Sequence, residues 1–516
     1  MSPKHPLLQW FTSVGVKIHP DLYLEQDPVT GLSFYTAQPL PRDTTVIRVP
    51  KELCITSTSA LEQVQLILRN VGGTEAVLEP SSLPAPDWIL LYLVLSRLAE
   101  EYLTLASEDA EEVERVFVHL PYVSHIPKII ETPLHFSPVE LSLLANTPLV
   151  GSTERRLRET IVDYERASLL IARQLQQASA PHTFVAYLCK ALKPITLEQP
   201  EHDPLMSQTY HKGLELWRWA ESAFTSRSFP PRLIGLSDHR DACSSSGTAT
   251  SAPILIPAYD TFNHARAHPV TWSYSPATPE MGDMVCMTLN YDSPSAPCQV
   301  YNNYGGKSNE EFLSGYGFTL DTVTEDTLAL KLGTEGNGTD QTEAKTHYWI
   351  VPSESTSEIQ LKSEQDTADG FVKDKCPCPS LLSELERRVL EGDEPPTTLE
   401  DQLYLYASVL ETLESLLLSK RKAFRTSQKQ IEALHTDLTS VDEAAQTADG
   451  WHRNALAADI GNTSSFRSSV WNNVMQYRRG QLHLLNHAVD WTRAELGRVA
   501  DALDALDALE DDQDAQ

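Results

Sequence analysis

Residues 300–318, VYNNYGGKSNEEFLSGYGF, constrain this chain more than any other stretch. Residues 299–303 read as a short strand, which Tyr304-Gly305-Gly306 stops abruptly. Ser308 and Glu311 have the spacing of a capping box, in which each side chain satisfies the other's free backbone donor. A helix of one to two turns is therefore expected after Ser308. Gly315 and Gly317 are expected to supply the positive-φ positions that end it. Two tyrosines, Tyr304 and Tyr316, then flank a tight turn bracketed by glycines. Turn chemistry alone accounts for each of these glycines, so the stretch taken singly is also a plain strand-turn-helix with core aromatics.

A second stretch changes the balance. Residues 254–264, ILIPAYDTFNH, put Pro257, Asp260, Asn263 and His264 within eight positions after an apolar run, which is unusual for a core strand. In this order the two segments resemble motifs of the SET-domain protein methyltransferases, in the branch typified by the Rubisco large-subunit methyltransferase. That branch carries (I/L)-P-x-x-D-x-x-N-H followed by Y-G-x-x-x-N, then six residues and Y-G-F. The resemblance implies an α+β fold: a β-rich SET domain with a helical insertion, followed by an all-α C-terminal domain. On it, residues 1–60 hold an N-terminal helix and the first part of SET, 61–222 the insert, 223–325 the rest of SET, and 326–516 a helical substrate-binding-like domain.

The rest of the chain is read with both the residues and the resemblance. Residues 7–18 could form a short amphipathic helix, and 23–37 and 44–50 read as two or three short strands. The family turn G-x-G-x-x-A corresponds to Gly31-Leu32-Ser33, with serine at the second glycine and Ala37 one residue late. A serine there is expected to restrict the turn. From about residue 86 to 219 the pattern is helical, with a proline-broken connector at 117–127 and a capping signal at Ser137 and Glu140 whose helix is expected to run past Leu144. Residues 237–252 read as a loop, 270–292 as strands, and 328–332 and 348–351 as short strands. Long helices are expected over 379–425 and 464–506.

By resemblance, Thr30, Gly31, Leu32, Arg227, Asp260, Asn263, His264 and Tyr304 would hold S-adenosylmethionine. Asn263 and His264 would act mainly through backbone groups and the amide side chain, and Arg227 through a guanidinium suited to a carboxylate. Read alone, Arg227 is an ordinary ion-paired arginine and His264 a packed, hydrogen-bonded one. Tyr304 is the catalytic candidate, orienting the acceptor nitrogen, and Tyr316 and Phe318 would line the substrate channel.

Bulk properties narrow the classes. At 516 residues with 41% hydrophobic content the chain is globular and long enough for two or three domains. No apolar run is long enough to span a bilayer and the N-terminus has no secretory pattern, so a cytoplasmic or nuclear protein is expected. Seven scattered cysteines fit reduced thiols, and Cys376-Pro-Cys378 lacks nearby ligands to complete a zinc site, so no metal is expected. A formal charge of −30 argues against direct binding of nucleic acid and suits a basic protein substrate, or simply solubility. The function expected is methyl transfer from S-adenosylmethionine to a protein lysine, on a ribosomal or translation-related substrate. A histidine acceptor remains open, as does a non-catalytic SET-fold binding module or a scaffold built on the C-terminal helices.

Overall fold

The structure is a computed structural model that describes residues 5–73, 77–105, 110–176, 183–195, 211–236, 252–279, 281–293, 296–333, 346–350, 375–437, 439–441 and 465–514. They divide into two compact units. The first comprises the described residues of 5–135 and 154–306, and the second those of 136–153, 307–441 and 465–514. The segment 237–251, expected as a loop, lies outside the described residues.

In the first unit, an N-terminal helix, Pro6–Ser13, buries Leu7 and Phe11. It is shorter than the apolar pattern implied. Gly15 at φ 88° turns the chain, and the Val16 N–H reaches back to the Phe11 carbonyl. β1 (Lys17–Ile18) follows at once. β2 (Leu22–Asp27) and β3 (Gly31–Thr36) form an antiparallel hairpin, and β4 (Thr45–Pro50) comes next. Late in the unit come β5 (Ser228–Phe229), β6 (Ile254–Leu255), β7 (Val270–Ser275), β8 (Met284–Leu289) and β9 (Cys298–Gln299). The strands make three antiparallel sheets, β1-β4-β8-β7, β2-β3-β9 and β5-β6. Their inner faces share one core that includes Phe34, Val46, Val49, Phe262, Val285 and Met287. β8 reads MVCMTL and is buried at every position but Thr288, as a central strand covered on both faces should be.

The strand expected over 299–303 is confined to its first residues. Past Val300, whose N–H still bonds the Phe34 carbonyl, Asn302 leaves β3 and pairs instead with the 263–265 turn. The described residues of 57–135 and 154–227 are mainly helical. Their central element, Ala85–Leu105, is buried nearly all round and packs against Lys212–Arg227 with Trp88, Trp217 and Trp219 in a second core. Arg97 is buried here, stacked 4.5 Å over the Trp219 ring. The proline-broken stretch at 117–127 contains a helix after all, Leu120–His125, because Pro121 sits in the first turn, where a missing N–H costs nothing.

In the second unit, the Ser137–Glu140 capping box is present, but its helix, Pro138–Ser142, stops before Leu144. Glu140 is buried, and its carboxylate also accepts three hydrogen bonds at 2.8–2.9 Å from the backbone and guanidinium of Arg467. β10 (Leu328–Lys331), β11 (Thr346–Ile350) and β12 (Cys376–Pro377) form one sheet; β13 (Thr439–Val441) and β14 (Ser465–Arg467) pair in parallel. The helix expected over 379–425 is two. Pro379–Leu390 ends where Glu391 and Gly392 take positive φ, and Thr398 caps Leu399–Asp437. The last helix, Ser468–Asp514, packs along Leu399–Asp437 over Leu413, Leu417, Leu484 and Leu485. Among the described residues no helix is long and apolar enough to cross a membrane, and no group of three or more His, Cys, Asp or Glu could hold a metal ion.

Asp87 makes this packing pH-dependent. It lies buried in the first turn of Ala85–Leu105, 3.5 Å from the Arg166 guanidinium. Burial, with Asp163 nearby, pushes its carboxyl up to about 7. The folded chain therefore holds this proton more tightly than the unfolded chain, whose aspartates titrate near ~3.9. Stability falls as pH rises through that interval, and the loss is complete above about 7. Asp87→Asn, neutral throughout, is expected to raise the urea midpoint relative to the native chain at pH 8 and not at pH 4. Equal shifts at both pH values would contradict it.

Candidate active site

The turn at 254–264 enters from β6 and is held in an unusual conformation. Ala258 is fully buried at φ 71°, a region that costs a non-glycine residue about 1 kcal/mol or more. The short helical turn Tyr259–Thr261 follows. Two aromatic anchors fix it. The Tyr259 hydroxyl donates to the Cys286 carbonyl at 2.9 Å, and Phe262 stacks on Phe34 with centroids 4.5 Å apart.

Between these anchors sits Asp260, whose side chain is 1% exposed. One carboxylate oxygen, Oδ2, accepts the Tyr122 hydroxyl at 2.8 Å and the Arg227 guanidinium at 3.2 Å. The same guanidinium nitrogen donates to the Asp260 carbonyl at 3.2 Å. Burial pushes the carboxyl up from its ordinary range, while Arg227 and Tyr122 oppose that rise. Burial likewise pushes the Tyr122 phenol well up, so its proton stays on the oxygen and points at Asp260. Arg227, half-buried beside this carboxylate, remains a cation.

Asn263 and His264 come next. The Asn263 N–H donates to Ser33 Oγ at 3.3 Å, and its carbonyl accepts the Asn302 N–H at 2.7 Å. Both backbone groups expected to face a ligand are thus engaged by the protein, and what remains is the amide side chain. His264 Nδ1 accepts the Tyr304 N–H at 3.0 Å, and the two rings stack 5.1 Å apart. An imidazole accepting at Nδ1 is not protonated there, which fits the packed, hydrogen-bonded role. Tyr304 closes the arrangement: its hydroxyl donates to the Phe262 carbonyl at 2.8 Å.

The structure therefore brings Arg227, Asp260, Asn263, His264 and Tyr304 together. Thr30, Gly31 and Leu32 stand apart from them. Asp27 Oδ1 accepts the Val29 and Thr30 N–H groups, Gly31 at φ 79° opens β3, Thr30 is exposed, and Leu32 packs partly against the sheet core. Among the described residues no hydrogen bond joins these three to the 260–264 turn. Ser33 does so instead. It pairs with Glu25 in the β2–β3 ladder with an ordinary negative φ, so the second glycine's freedom is not used and the expected restriction does not arise. Tyr316 and Phe318 belong to the second unit. There the helix Asn309–Tyr316, capped by Ser308 and Glu311, ends at Gly317 in the left-handed region. Gly315 stays helical, so one glycine does what two were expected to do. Tyr316, Phe318 and Phe312 form an aromatic cluster with centroids 5.0–6.0 Å apart. Burial pushes the Tyr316 phenol up to about 12.

Sequence reasoning missed Tyr122, Ser33 and Asn302 as parts of the site. Asn302 is fully buried, and its Oδ1 accepts from Trp272 Nε1 at 2.8 Å and from its neighbour's N–H. The Asn302-Asn303 pair immediately before Tyr304 was the available signal. Several buried polar atoms here have no protein partner: Arg227 Nε, Asp260 Oδ1, Asn263 Nδ2 and Asn302 Nδ2. Buried donors and acceptors are normally paired, so these atoms are available to a polar ligand or to ordered water.

Comparison with known proteins follows the same lines. No protein-family model matches the chain. It is 26% identical over 336 residues to ribosomal lysine N-methyltransferase 1 of Saccharomyces cerevisiae, a match spanning 63% of this chain and 50% of that protein. A ribosomal lysine N-methyltransferase of Schizosaccharomyces pombe is 26% identical over 211 residues, 41% of this chain and 30% of the other. The actin-histidine N-methyltransferase of Gallus gallus is 25% identical over 216 residues, 42% and 29% respectively. The chain thus spans half or less of the length of these curated relatives. Among solved structures, Rubisco LSMT bound to AdoMet superposes with a TM-score of 0.52 at 16% identity, covering 99% of this chain and 97% of that one. The SET domain of LSMT bound to lysine and AdoHcy gives 0.53 at 16% identity, covering 96% and 91%.

Removing the Asp260 charge tests the network. Asp260→Asn leaves the half-buried Arg227 cation without its counter-ion, which is expected to cost about 1.5–3 kcal/mol in denaturant unfolding. Tyr122→Phe removes one charge-assisted hydrogen bond and is expected to cost about 1.5–3 kcal/mol. The double variant should fall short of the sum, since both act on one oxygen. Strict additivity would show the two contacts to be independent.

Proposed function

We propose that this chain, which shares the fold of the Rubisco LSMT SET structures and resembles the SET-domain lysine methyltransferases, transfers methyl groups from S-adenosylmethionine to a lysine side chain of a protein. The observation that carries the reading is the cluster of unpartnered buried polar atoms around the 260–264 turn. Arg227 Nε and Asn263 Nδ2 are donors suited to a carboxylate or an adenine edge, and Asp260 Oδ1 is an acceptor suited to an ammonium or hydroxyl. That donor and acceptor set fits the polar groups of S-adenosylmethionine. When bound, the cofactor supplies a methyl group on a sulfonium, open to in-line attack by an amine.

What the chain contributes is positioning and charge. Arg227, Asn263 and His264 hold the cofactor in this reading, and Asp260 keeps Arg227 in place. The Tyr304 hydroxyl keeps its proton and donates it as a hydrogen bond to the Phe262 carbonyl, so toward an amine its oxygen acts as an acceptor. An incoming amine N–H donates to that oxygen, and the nitrogen lone pair is left aimed at the methyl group. A lysine with an ordinary pKa near ~10.4 must first lose its proton, about 4.6 kcal/mol at pH 7. Desolvation in a closed channel beside a cationic sulfonium offsets much of that cost. The proton leaves to solvent, and no covalent enzyme intermediate is needed.

In the same reading, Tyr316 and Phe318 line the lysine channel, and Thr30 to Leu32 approach the cofactor's methionine end. Residues 61–222 are the insert within SET, 1–60 and 223–325 its two flanking parts, and 326–516 the substrate-binding-like domain. The acceptor is a ribosomal or other translation-related protein, as the names of the yeast relatives indicate for those proteins. A basic acceptor suits the −30 charge, and a cytoplasmic or nuclear location follows from such a substrate. Histidine is the second reading, supported by the match to actin-histidine N-methyltransferases.

Incubating the full chain and tritiated S-adenosylmethionine with cell extract, then hydrolysing labelled protein to amino acids, separates these readings. Label in methyllysine is expected, and Tyr304→Phe should lower kcat about 100-fold, the scale of losing one positioned polar contact. Label in methylhistidine would favour the second reading. No labelled protein from a folded, cofactor-binding chain would contradict both.

A further inference from the structure

The helix Leu399–Asp437 carries a feature that the acidic composition hides. Between Glu414 and Glu432 it has no acidic residue, but five cations: Lys420, Arg421, Lys422, Arg425 and Lys429. Leu418, Lys422, Arg425 and Lys429 are spaced 4, 3 and 4 residues apart, which places them along one face of the helix. With Arg421 and Thr426 they line a shallow concavity of about 390 Å³. Lys422, Arg425 and Lys429 are exposed.

These cations are unusual for a chain with 41 basic and 71 acidic residues. Among the described residues Arg421, Lys422, Arg425 and Lys429 form no ion pair, whereas other arginines of the second unit do: Arg467 with Glu140, Arg388 with Glu384 and Arg493 with Glu414. Among the described residues, the side-chain partner of Arg421 and Arg425 is neutral. Asn486 Oδ1 accepts from Arg425 at 3.0 Å and from Arg421 at 3.5 Å, so it orients both guanidiniums without cancelling their charge. Two positioned forks and two flexible ammonium groups remain, facing solvent.

We propose that this face binds the phosphate backbone of single-stranded RNA. Three observations favour phosphate over an acidic peptide. The lining is polar except for Leu418, whereas peptide interfaces draw their affinity from buried apolar and aromatic anchors. Paired guanidiniums match phosphate oxygens, and Lys422 to Lys429 cover about 10 Å of helix axis, enough for two or three successive phosphates. The lining also has no aromatic ring on which a base could stack, so binding is sequence-independent. The chain's overall negative charge does not prevent this, because at physiological salt carboxylates beyond about 8 Å are screened. The proposal departs from the expectation, drawn from net charge, that no nucleic acid is bound directly. It stands independently of the methyl-transfer reading.

Fluorescence anisotropy of the full chain with a labelled 20-mer of poly(U), titrated between 50 and 200 mM KCl, tests the proposal. Binding is expected to weaken with salt. The triple variant Lys422→Gln, Arg425→Gln, Lys429→Gln should weaken binding at least tenfold and reduce the log–log salt slope by about 2, the value for three lost single-strand phosphate contacts. All three side chains are exposed, so the variant should keep the native circular dichroism spectrum and urea midpoint. A poly(A) 20-mer should bind as poly(U) does. No binding by the native chain at 50 mM KCl, an unchanged slope in the variant, or tighter binding of a polyglutamate peptide than of RNA would each overturn it.

Discussion

One buried carboxylate organises the candidate site. Asp260 gathers a phenol from the helix Leu120–His125 and a guanidinium from the end of Lys212–Arg227 onto a single oxygen. The buried carboxylate would be costly without a cation, and the half-buried guanidinium would be left uncompensated without the carboxylate. Each makes the other tolerable, and together they tie the helices Leu120–His125 and Lys212–Arg227 to the turn that carries Asn263 and His264. The turn has little freedom left. Phe262 is stacked on Phe34, the Asn263 backbone is held by Ser33 and Asn302, and His264 is held by the Tyr304 N–H. Such rigidity is what in-line group transfer needs, because positioning supplies most of its rate.

Much of this was legible in the sequence. Capping at Ser308 and Glu311, the buried helix over Asp87 and Trp88, and the grouping of Asp260, Asn263, His264 and Tyr304 all follow from local chemistry or a specific pair of motifs. The failures share a cause. Tyr122 was visible only as part of a proline-flanked connector, and its role depends on Asp260, which lies 138 positions away. Ser33 looked like a damaged glycine turn. In the ladder it is a strand residue with ordinary dihedrals whose hydroxyl receives the Asn263 N–H. Element ends were misjudged where backbone dihedrals, not periodicity, decided them: Gly15 ended the first helix early, and Glu391 with Gly392 divided the long helix expected over 379–425.

Charge shows how a total conceals a pattern. The sum of −30 points toward basic partners, yet Lys422, Arg425 and Lys429 of Leu399–Asp437 lie along one face and, among the described residues, form no ion pair. A ribosomal substrate combines basic protein with RNA. In the proposed reading an acidic chain with one basic face could address both, with the charge of the whole attracting the acceptor protein and the local face gripping phosphate.

The central claim is that the 260–264 turn forms a working S-adenosylmethionine site despite serine at position 33. Isothermal titration calorimetry of the native chain and of Asn263→Ala addresses it directly. The account predicts micromolar binding by the native chain, and binding at least tenfold weaker in a variant that keeps the native unfolding midpoint. A folded native chain with no measurable heat of binding, or a variant that binds as tightly as the native chain, would contradict it.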